Sequence, residues 1–283
     1  GGQVNGPAAL MKEWQTLMAR AQAMPGPVQD MAKAGLAKVV DFQDCAYGGE
    51  YLDHLDGVLA RDSAARDWAL SAAAAKYIAN AMAYDDIIRV ADLKTRSTRF
   101  DRITGEMNVE EGQLVELTEF FHPRAEEIAS LMPAKMGAKW EADPRRMAML
   151  DRWFNKGRRL RTHRLRSFVM LHLLGGLKGY RRRTRRHEVE QAHLTEWLRQ
   201  SLAPLERDYA LSVELLKCRR LIKGYSDTHV RGLSKFATVM EAAKLLDGRE
   251  DAADWVARLR EAALQDPDGK ALDGAVQTIR SFI

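Results

Sequence analysis

The apolar positions of the chain recur at intervals of three and four residues over most of its length, which is the spacing of one helix face. Runs in which apolar and polar residues alternate, the signature of a half-buried strand, are nearly absent. The clearest stripe predicts one long helix near residues 68–103, with apolar positions at Leu70, Ala74, Tyr77, Ala81, Tyr84, Ile88 and Ala91. The whole pattern predicts an all-α fold, an irregular multi-helix domain of about nine to eleven helices.

Helix-breaking residues suggest how the chain is organised. A first helix is followed by Pro25-Gly26-Pro27, so residues 1–27 are predicted to form an N-terminal helix and linker. Residues 28–283 are predicted to form the helical domain, and its pattern also allows a subdivision near residues 104–143. The chain begins Gly-Gly-Gln-Val-Asn-Gly without a methionine. We therefore expect it to be a segment of a longer protein.

Composition places the chain among ordinary globular proteins. Of its 283 residues, 46% are apolar and 29% are charged, which argues against a disordered chain. No apolar run approaches the roughly 20 residues that cross a bilayer, and the start of the sequence lacks a secretory signal. Cys45 and Cys218 have no partner at metal or redox spacing, which predicts two buried hydrophobic side chains. We expect a cytoplasmic protein without a membrane contact.

Positive charge is concentrated in one segment. The net charge is +5, but residues 156–187 contain twelve Lys or Arg and no Asp or Glu, so the remainder carries −7. Such a segment suits a phosphate-bearing ligand or an acidic protein, because guanidinium groups hold phosphates and carboxylates bidentately. The alternative is that these arginines pair with carboxylates elsewhere in the protein. The predicted basic surface comprises Arg158, Arg159, Arg161, Arg164, Arg181, Arg182, Arg183, Arg185 and Arg186.

A second polar group lies at the join between two predicted helices, in residues 223–232. Helix caps at Gly224 and at Ser226 or Asp227 would explain part of this stretch. They do not explain the whole set, and a helix N-terminus beside cations is a site where anions bind. We predict binding of an anion or of a partner by Lys223, Tyr225, Asp227, Thr228, His229 and Arg231.

Two acidic groups have simpler interpretations. Asp41 and Asp44 are three residues apart on a helix and could face one ligand, although a solvated turn is the more ordinary explanation. In the stretch Tyr84-Asp85-Asp86, pairing with Arg89 explains Asp85, and the sequence offers no role for Asp86.

Motifs for catalysis are missing from the sequence. It contains no glycine-rich phosphate loop, no cysteine array for an iron–sulfur cluster and no His/Glu metal motif. We therefore predict no catalytic residue and no metal site in this chain. Redox or carbon–carbon chemistry would have to come from another domain or polypeptide.

Four stretches, in this order, resemble a known family. They are residues 41–47 followed by Tyr51-Leu52, then residues 82–96, 117–123 and 218–229. Over about residues 28–240 the chain resembles the C-terminal helical region of the beta subunit of indolepyruvate oxidoreductases, in the 2-oxoacid:ferredoxin oxidoreductase superfamily.

The resemblance implies a reaction and a set of partners. Family members oxidatively decarboxylate arylpyruvates to the acyl-CoA and pass electrons to ferredoxin. It implies a holoenzyme that uses thiamine diphosphate, iron–sulfur clusters and CoA, with the first two held by the alpha subunit. It also implies an upstream α/β domain of the same polypeptide, which is absent from this chain.

The predicted role is therefore a non-catalytic helical region that docks to the alpha subunit or covers the cofactor site. In that role the segment alone is inactive and binds no cofactor by itself. The rival hypothesis is a basic binding module for an acidic protein or, less in keeping with the acidic remainder of the chain, for nucleic acid.

Overall fold

The computed structural model describes residues 7–95, 118–121, 124–154, 158–161, 169, 172–224, 227–266 and 268–282. The chain divides into two compact units. Unit 1 comprises residues 1–84 and 192–283, and unit 2 comprises residues 85–191. The predicted subdivision near residues 104–143 therefore falls inside unit 2.

Unit 1 is built from two runs of helices. The first run contains α1 (Ala8–Gln22), α2 (Gly26–Phe42), α3 (Cys45–Leu59), the 3₁₀ turn η1 (Ala64–Arg66) and α4 (Ala69–Met82). Its second run begins within α10 (Arg185–Leu202), whose first turns belong to unit 2, and continues with α11 (Tyr209–Lys217), η3 (Cys218–Leu221), α12 (Asp227–Leu245), α13 (Ala252–Gln265) and α14 (Lys270–Ser281).

Unit 2 is less regular. Its elements are α5 (Ile87–Thr95), β1 (Thr118–Phe121), α6 (Ala125–Leu131), α7 (Ala134–Glu141), α8 (Pro144–Phe154), β2 (Arg158–Arg161), α9 (172–175) and η2 (Gly176–Arg183). The strands pair antiparallel, with Thr118 opposite Arg161. Helices α6 to α8 share a small core of Ala125, Ala129 and Leu150.

The core of unit 1 forms where α2, α3 and α4 pack together and α11 packs on α4. Helix α4 is rich in alanine, so its neighbours approach closely. Two buried tyrosines of α3 satisfy their hydroxyls on α4: Tyr51 donates to the Ala75 carbonyl at 2.8 Å and Tyr47 to the Met82 carbonyl at 3.2 Å. Each fully buried leucine or valine here contributes roughly 1.5–3 kcal/mol. This packing holds helices α2, α3 and α4 together.

The all-α prediction is confirmed, but two of its details are wrong. The described residues contain 14 α-helices rather than nine to eleven. The predicted long helix is interrupted, because α4 ends at Met82 and α5 begins at Ile87. Ala83 leaves the helical region with φ −100° and ψ 62°, and the Asp86 carboxylate caps the new helix by accepting the Arg89 N–H at 2.6 Å. Residues 96–103 of the prediction lie outside the described residues.

Among the described residues, every helix is too short or too polar to span the hydrocarbon core of a membrane.

Candidate functional site

The predicted polar join lies in unit 1, between η3 and the N-terminus of α12. Lys223, Asp227, Thr228 and Arg231 are exposed, and His229 is half-buried. Tyr225 lies outside the described residues. The structure thus places four of the six predicted side chains at the surface of one short stretch, where an anion or a partner can reach them.

Close packing holds this join in place. Gly232 of α12 lies against η3: a Cβ atom added there would be 2.6 Å from the Leu221 carbonyl oxygen. The buried Arg219 donates from Nη1 to the Ile222 carbonyl at 2.9 Å. Gly224 then turns the chain with φ +78°, a conformation that favours glycine. The exposed residues therefore lie beside closely packed backbone.

Replacing Gly232 with alanine is expected to destabilise unit 1 by about 1–3 kcal/mol, because the added methyl group forces α12 away from η3. Guanidinium denaturation followed by circular dichroism measures the change. Gly274→Ala is the matched control, since Gly274 lies in α14 with no atom within 4 Å of the added Cβ. The control should be neutral or stabilising by up to about 1 kcal/mol. Equal stability of both variants would contradict the close approach.

The predicted basic surface is divided by the structure. The prediction that Arg181 belongs to this surface is wrong. Arg181 is 1% exposed, because its guanidinium is paired internally with a carboxylate. Two other arginines of the set are also paired with carboxylates: Arg185 is partly exposed, whereas the Arg186–Glu190 pair is mostly buried. Arg185 lies 2.9 Å from a Glu141 carboxylate oxygen and 2.6 Å from one of Glu188, and Arg186 lies 2.8 Å from one of Glu190.

The remaining arginines have different positions. Arg182 and Arg183 are exposed at the end of η2. Arg158, Arg159 and Arg161 belong to β2, but the positions of their side chains are outside the description, and Arg164 lies outside the described residues. Internal pairing, the alternative interpretation of the basic segment, therefore holds for Arg181, Arg185 and Arg186.

A buried ion pair in unit 2 was not found from the sequence. The Arg181 Nε donates to Asp86 Oδ2 at 2.8 Å and its Nη2 to Oδ1 at 3.3 Å, and both side chains are almost fully buried. The same carboxylate caps α5 through Arg89 N–H. The sequence alone assigned no role to Asp86. The only sign of this ion pair in the sequence was that the Asp86 carboxylate has no local partner.

His187 is buried beside this pair. Its backbone N–H donates to Thr184 Oγ1 at 3.2 Å, which fixes the first turn of α10. Burial, the largest cause, and the neighbouring guanidinium groups of Arg182 and Arg181 together lower the pKa of His187 to about 4, against the opposing charge of Asp86. The imidazole is therefore neutral at neutral pH.

The two thiols are poor nucleophiles. Cys45 and Cys218 are both buried, as the sequence predicts. Burial raises the pKa of Cys218 to about 12, and its Sγ–H donates to the Glu214 carbonyl. Burial also raises the pKa of Cys45. Because the thiolate is the reactive form, neither thiol is set up for covalent catalysis.

One of the two acidic positions predicted to face a ligand, Asp44, serves the fold. Asp44 caps α3, since its carboxylate accepts the Tyr47 N–H at 2.8 Å. The pairing of Asp41 and Asp44 on one ligand stays a prediction. Within the ranges that the structure describes, no group of three or more His, Cys, Asp or Glu side chains is arranged to hold a metal ion.

A cleft of about 260 Å³ opens in unit 1 where the end of α10 meets α11 and α12. Its floor is apolar, with Leu211, Leu215 and Met240. Its charged rim is occupied by surface pairs, such as Arg207 with Asp247 at 2.9 Å. The cleft offers apolar contact but no group prepared for acid–base or nucleophilic chemistry.

Comparison with known proteins gives one family. Residues 28–242 match the model of a family of unknown function, DUF6537, and the chain belongs to that family. A search of curated proteins and a search of solved structures each found no match. The matched range contains the polar join, the buried ion pair and most of the residues that line the cleft.

Proposed function

We propose that this DUF6537 domain is a non-catalytic helical region of an indolepyruvate:ferredoxin oxidoreductase subunit. It would support the oxidative decarboxylation of arylpyruvates to acyl-CoA by docking to the alpha subunit or by covering the cofactor site. Thiamine diphosphate and the iron–sulfur clusters would be held by that partner, with ferredoxin as electron acceptor. The observation that carries the proposal is the ordered resemblance of four stretches. Three of them fall at helix junctions, and the described part of the third stretch is strand β1.

The positions of these stretches favour a structural role. Asp44 in the first stretch caps α3, and Asp86 in the second caps α5 and neutralises Arg181. Cys218 and Arg219 in the fourth are buried and bond to backbone carbonyls. Their polar groups are therefore occupied in holding helices together. What the chain shares with the oxidoreductases is a scaffold rather than a set of reacting groups.

The polar join is the surface through which we propose that the domain contacts an anionic group. Lys223 and Arg231 are exposed on either side of the N-terminus of α12, where backbone N–H groups also favour negative charge. We infer that these cations contact an anionic group, either a carboxylate of the partner or a phosphate of CoA or thiamine diphosphate. His229, Thr228 and Asp227 complete the same surface.

The experiment uses the longer polypeptide, with its α/β domain, assembled with its partner subunit. Indolepyruvate-dependent, CoA-dependent reduction of ferredoxin is compared between wild type and a Lys223→Ala/Arg231→Ala variant. A phosphate contact predicts a Michaelis constant for CoA or thiamine diphosphate raised about tenfold, the equivalent of one charged contact. A docking contact predicts weaker subunit association with an unchanged Michaelis constant.

Matched controls separate the outcomes. Lys270→Ala/Arg280→Ala removes two exposed cations from α14 and should change neither quantity. Unchanged association and Michaelis constants in the Lys223/Arg231 variant would remove the contact role. Absence of arylpyruvate turnover in the wild-type assembly would refute the oxidoreductase assignment itself.

The rival hypothesis of nucleic-acid binding has less support. Three of the predicted arginines are paired with carboxylates, which leaves fewer groups for phosphates. Titration with single-stranded and duplex oligonucleotides at two salt concentrations tests it, because phosphate-driven binding weakens steeply with salt. Tight, salt-sensitive binding would favour this rival.

A further inference from the structure

We propose that the cleft of unit 1 binds a small organic carboxylate with an apolar body. The carboxylate group of this ligand takes the place of Asp247 at Arg207. The cleft lies where the end of α10 meets α11 and α12. The proposed oxidoreductase role does not use this cleft, so the two proposals are tested independently.

The walls of the cleft suit the apolar part of such a ligand. The volume is about 260 Å³, which is just below the range of roughly 300–1,000 Å³ that pockets for drug-sized ligands occupy. We therefore expect a ligand somewhat smaller than a typical drug. The apolar lining residues are Ala203, Pro204, Leu211, Leu215, Met240 and Ala243. An apolar body that covers these side chains gains burial without leaving a polar group unpaired.

The rim of the cleft favours an anion. Among the described residues that line it, three are cationic, namely Arg199, Arg207 and Lys244, and one is acidic, Asp247. The carboxylates paired with Arg199 and Lys244 lie one turn earlier on the same helices and are not lining residues. Both pairs are exposed, so either carboxylate is readily exchanged for another. A negatively charged ligand therefore meets cations at the mouth of an apolar cleft.

The Arg207–Asp247 pair shows how a carboxylate is held at this mouth. Arg207 Nη2 donates to Asp247 Oδ1 at 2.9 Å, and this bond joins the segment after α10 to the end of α12. Both side chains are more than half exposed, at 65% and 55%. Because exposed ion pairs add little net stability, a ligand carboxylate that also gains apolar burial displaces Asp247 at low cost.

Backbone contacts hold Arg207 beside the cleft without the ion pair. The Arg207 N–H donates to the Pro204 carbonyl at 2.9 Å. The carboxylate of the next residue, Asp208, caps α11 by accepting the Leu211 N–H at 2.8 Å. The segment therefore keeps its position when Asp247 is displaced, which limits the ordering cost of binding.

The probes are octanoate and 2-naphthoate, with octanamide and 2-naphthamide as their neutral analogues. Isothermal titration calorimetry on the whole 283-residue chain at low salt should give a dissociation constant of about 0.1–1 mM for the acids. The amides should bind about tenfold more weakly, because they lack the charged contact. In NMR spectra the isotope-labelled methyl group of Met240, a lining residue, should shift with the same affinity.

Two variants at the ion pair separate a binding site from a purely structural contact. Arg207→Gln should weaken acid binding about tenfold and leave amide binding unchanged. Asp247→Asn should strengthen acid binding by a factor of about two to five, because the competing carboxylate is gone. A structural pair predicts instead that both substitutions act in the same direction. Arg280→Gln removes an exposed guanidinium from α14 of the same unit and should leave acid binding unchanged.

A third variant blocks the cleft itself. Ala203→Leu enlarges an exposed lining residue and should abolish binding of both acids. The two ion-pair variants change exposed side chains, so circular dichroism should show wild-type folding for both. Equal binding of acids and amides, an unshifted Met240 methyl group, or weaker acid binding by Asp247→Asn would overturn the proposal. So would dimerisation that Ala203→Leu abolishes, because that result would place a second copy of the chain on the cleft.

Discussion

Replacing Asp86 with alanine is expected to lower the free energy of unfolding of unit 2 by about 3–5 kcal/mol. The reason is that Arg181 would keep its buried guanidinium without the carboxylate that accepts two of its N–H groups. Loss of the cap on Arg89 N–H adds to the effect. Hydrogen exchange of residues 87–95 and 176–183 localises the change, and urea denaturation measures its size.

Three further variants test the cause. Asp86→Asn keeps an acceptor for the cap but removes the charge, so it should remain strongly destabilised. Asp86→Asn/Arg181→Met leaves no buried charge unpaired, and we expect it to recover at least half of the loss. Glu188→Gln removes a partly exposed partner of Arg185 and should change stability by less than about 1 kcal/mol. A double variant that recovers none of the stability lost by Asp86→Asn would show that the two charges are not coupled.

This ion pair explains why the long helix was predicted wrongly. The apolar stripe from Leu70 continues without a change of phase through Tyr84 to Ile88, and these side chains are indeed buried. Hydrophobic periodicity therefore gives no sign of a break. The break depends on Asp86, whose partner Arg181 is 95 positions away in the sequence. A pattern read over a local window does not contain such a contact.

The helix class and the core positions, by contrast, follow from local sequence. Burial of Ala74 and Ala81 on one face of α4 was predictable because helical spacing alone places them together. The end of α1 and the start of α2 at Pro25-Gly26-Pro27 were predictable because proline removes a helical donor. These features need no knowledge of distant partners.

For the candidate sites, the sequence predicted which residue types are present but not which side chains lie at the surface. Sequence identified Arg181, Arg182 and Arg183 as equivalent members of one basic segment. The structure buries the first and exposes the other two, because only Arg181 faces the start of α5. Similarly, Arg185 pairs with Glu141, 44 positions earlier. Which arginines remain at the surface is thus a property of tertiary packing.

Acidification from pH 7.5 to pH 5 is expected to lower the free energy of unfolding by roughly 2 kcal/mol through His187 alone. The folded pKa of His187 is about 4, mainly because of burial, whereas an unfolded histidine has a pKa of about 6.5. At a pH between these two pKa values, His187 binds a proton in the unfolded chain but not in the folded chain. Stability therefore falls as the pH drops through 6.5, and this contribution stops changing below about pH 4.

The measurement compares wild type with His187→Gln by urea denaturation at half-unit steps from pH 7.5 to 5. Other groups that titrate in this range affect both proteins, so the difference between the two curves isolates His187. We expect the variant's curve to be flatter by about 2 kcal/mol over the range. Because Arg182 and Asp86 act on His187 with opposite signs, Arg182→Gln should raise the pKa of His187 and narrow this difference. Parallel curves, or an NMR titration of His187 centred near 6.5, would show that the imidazole is accessible to protons in the folded chain.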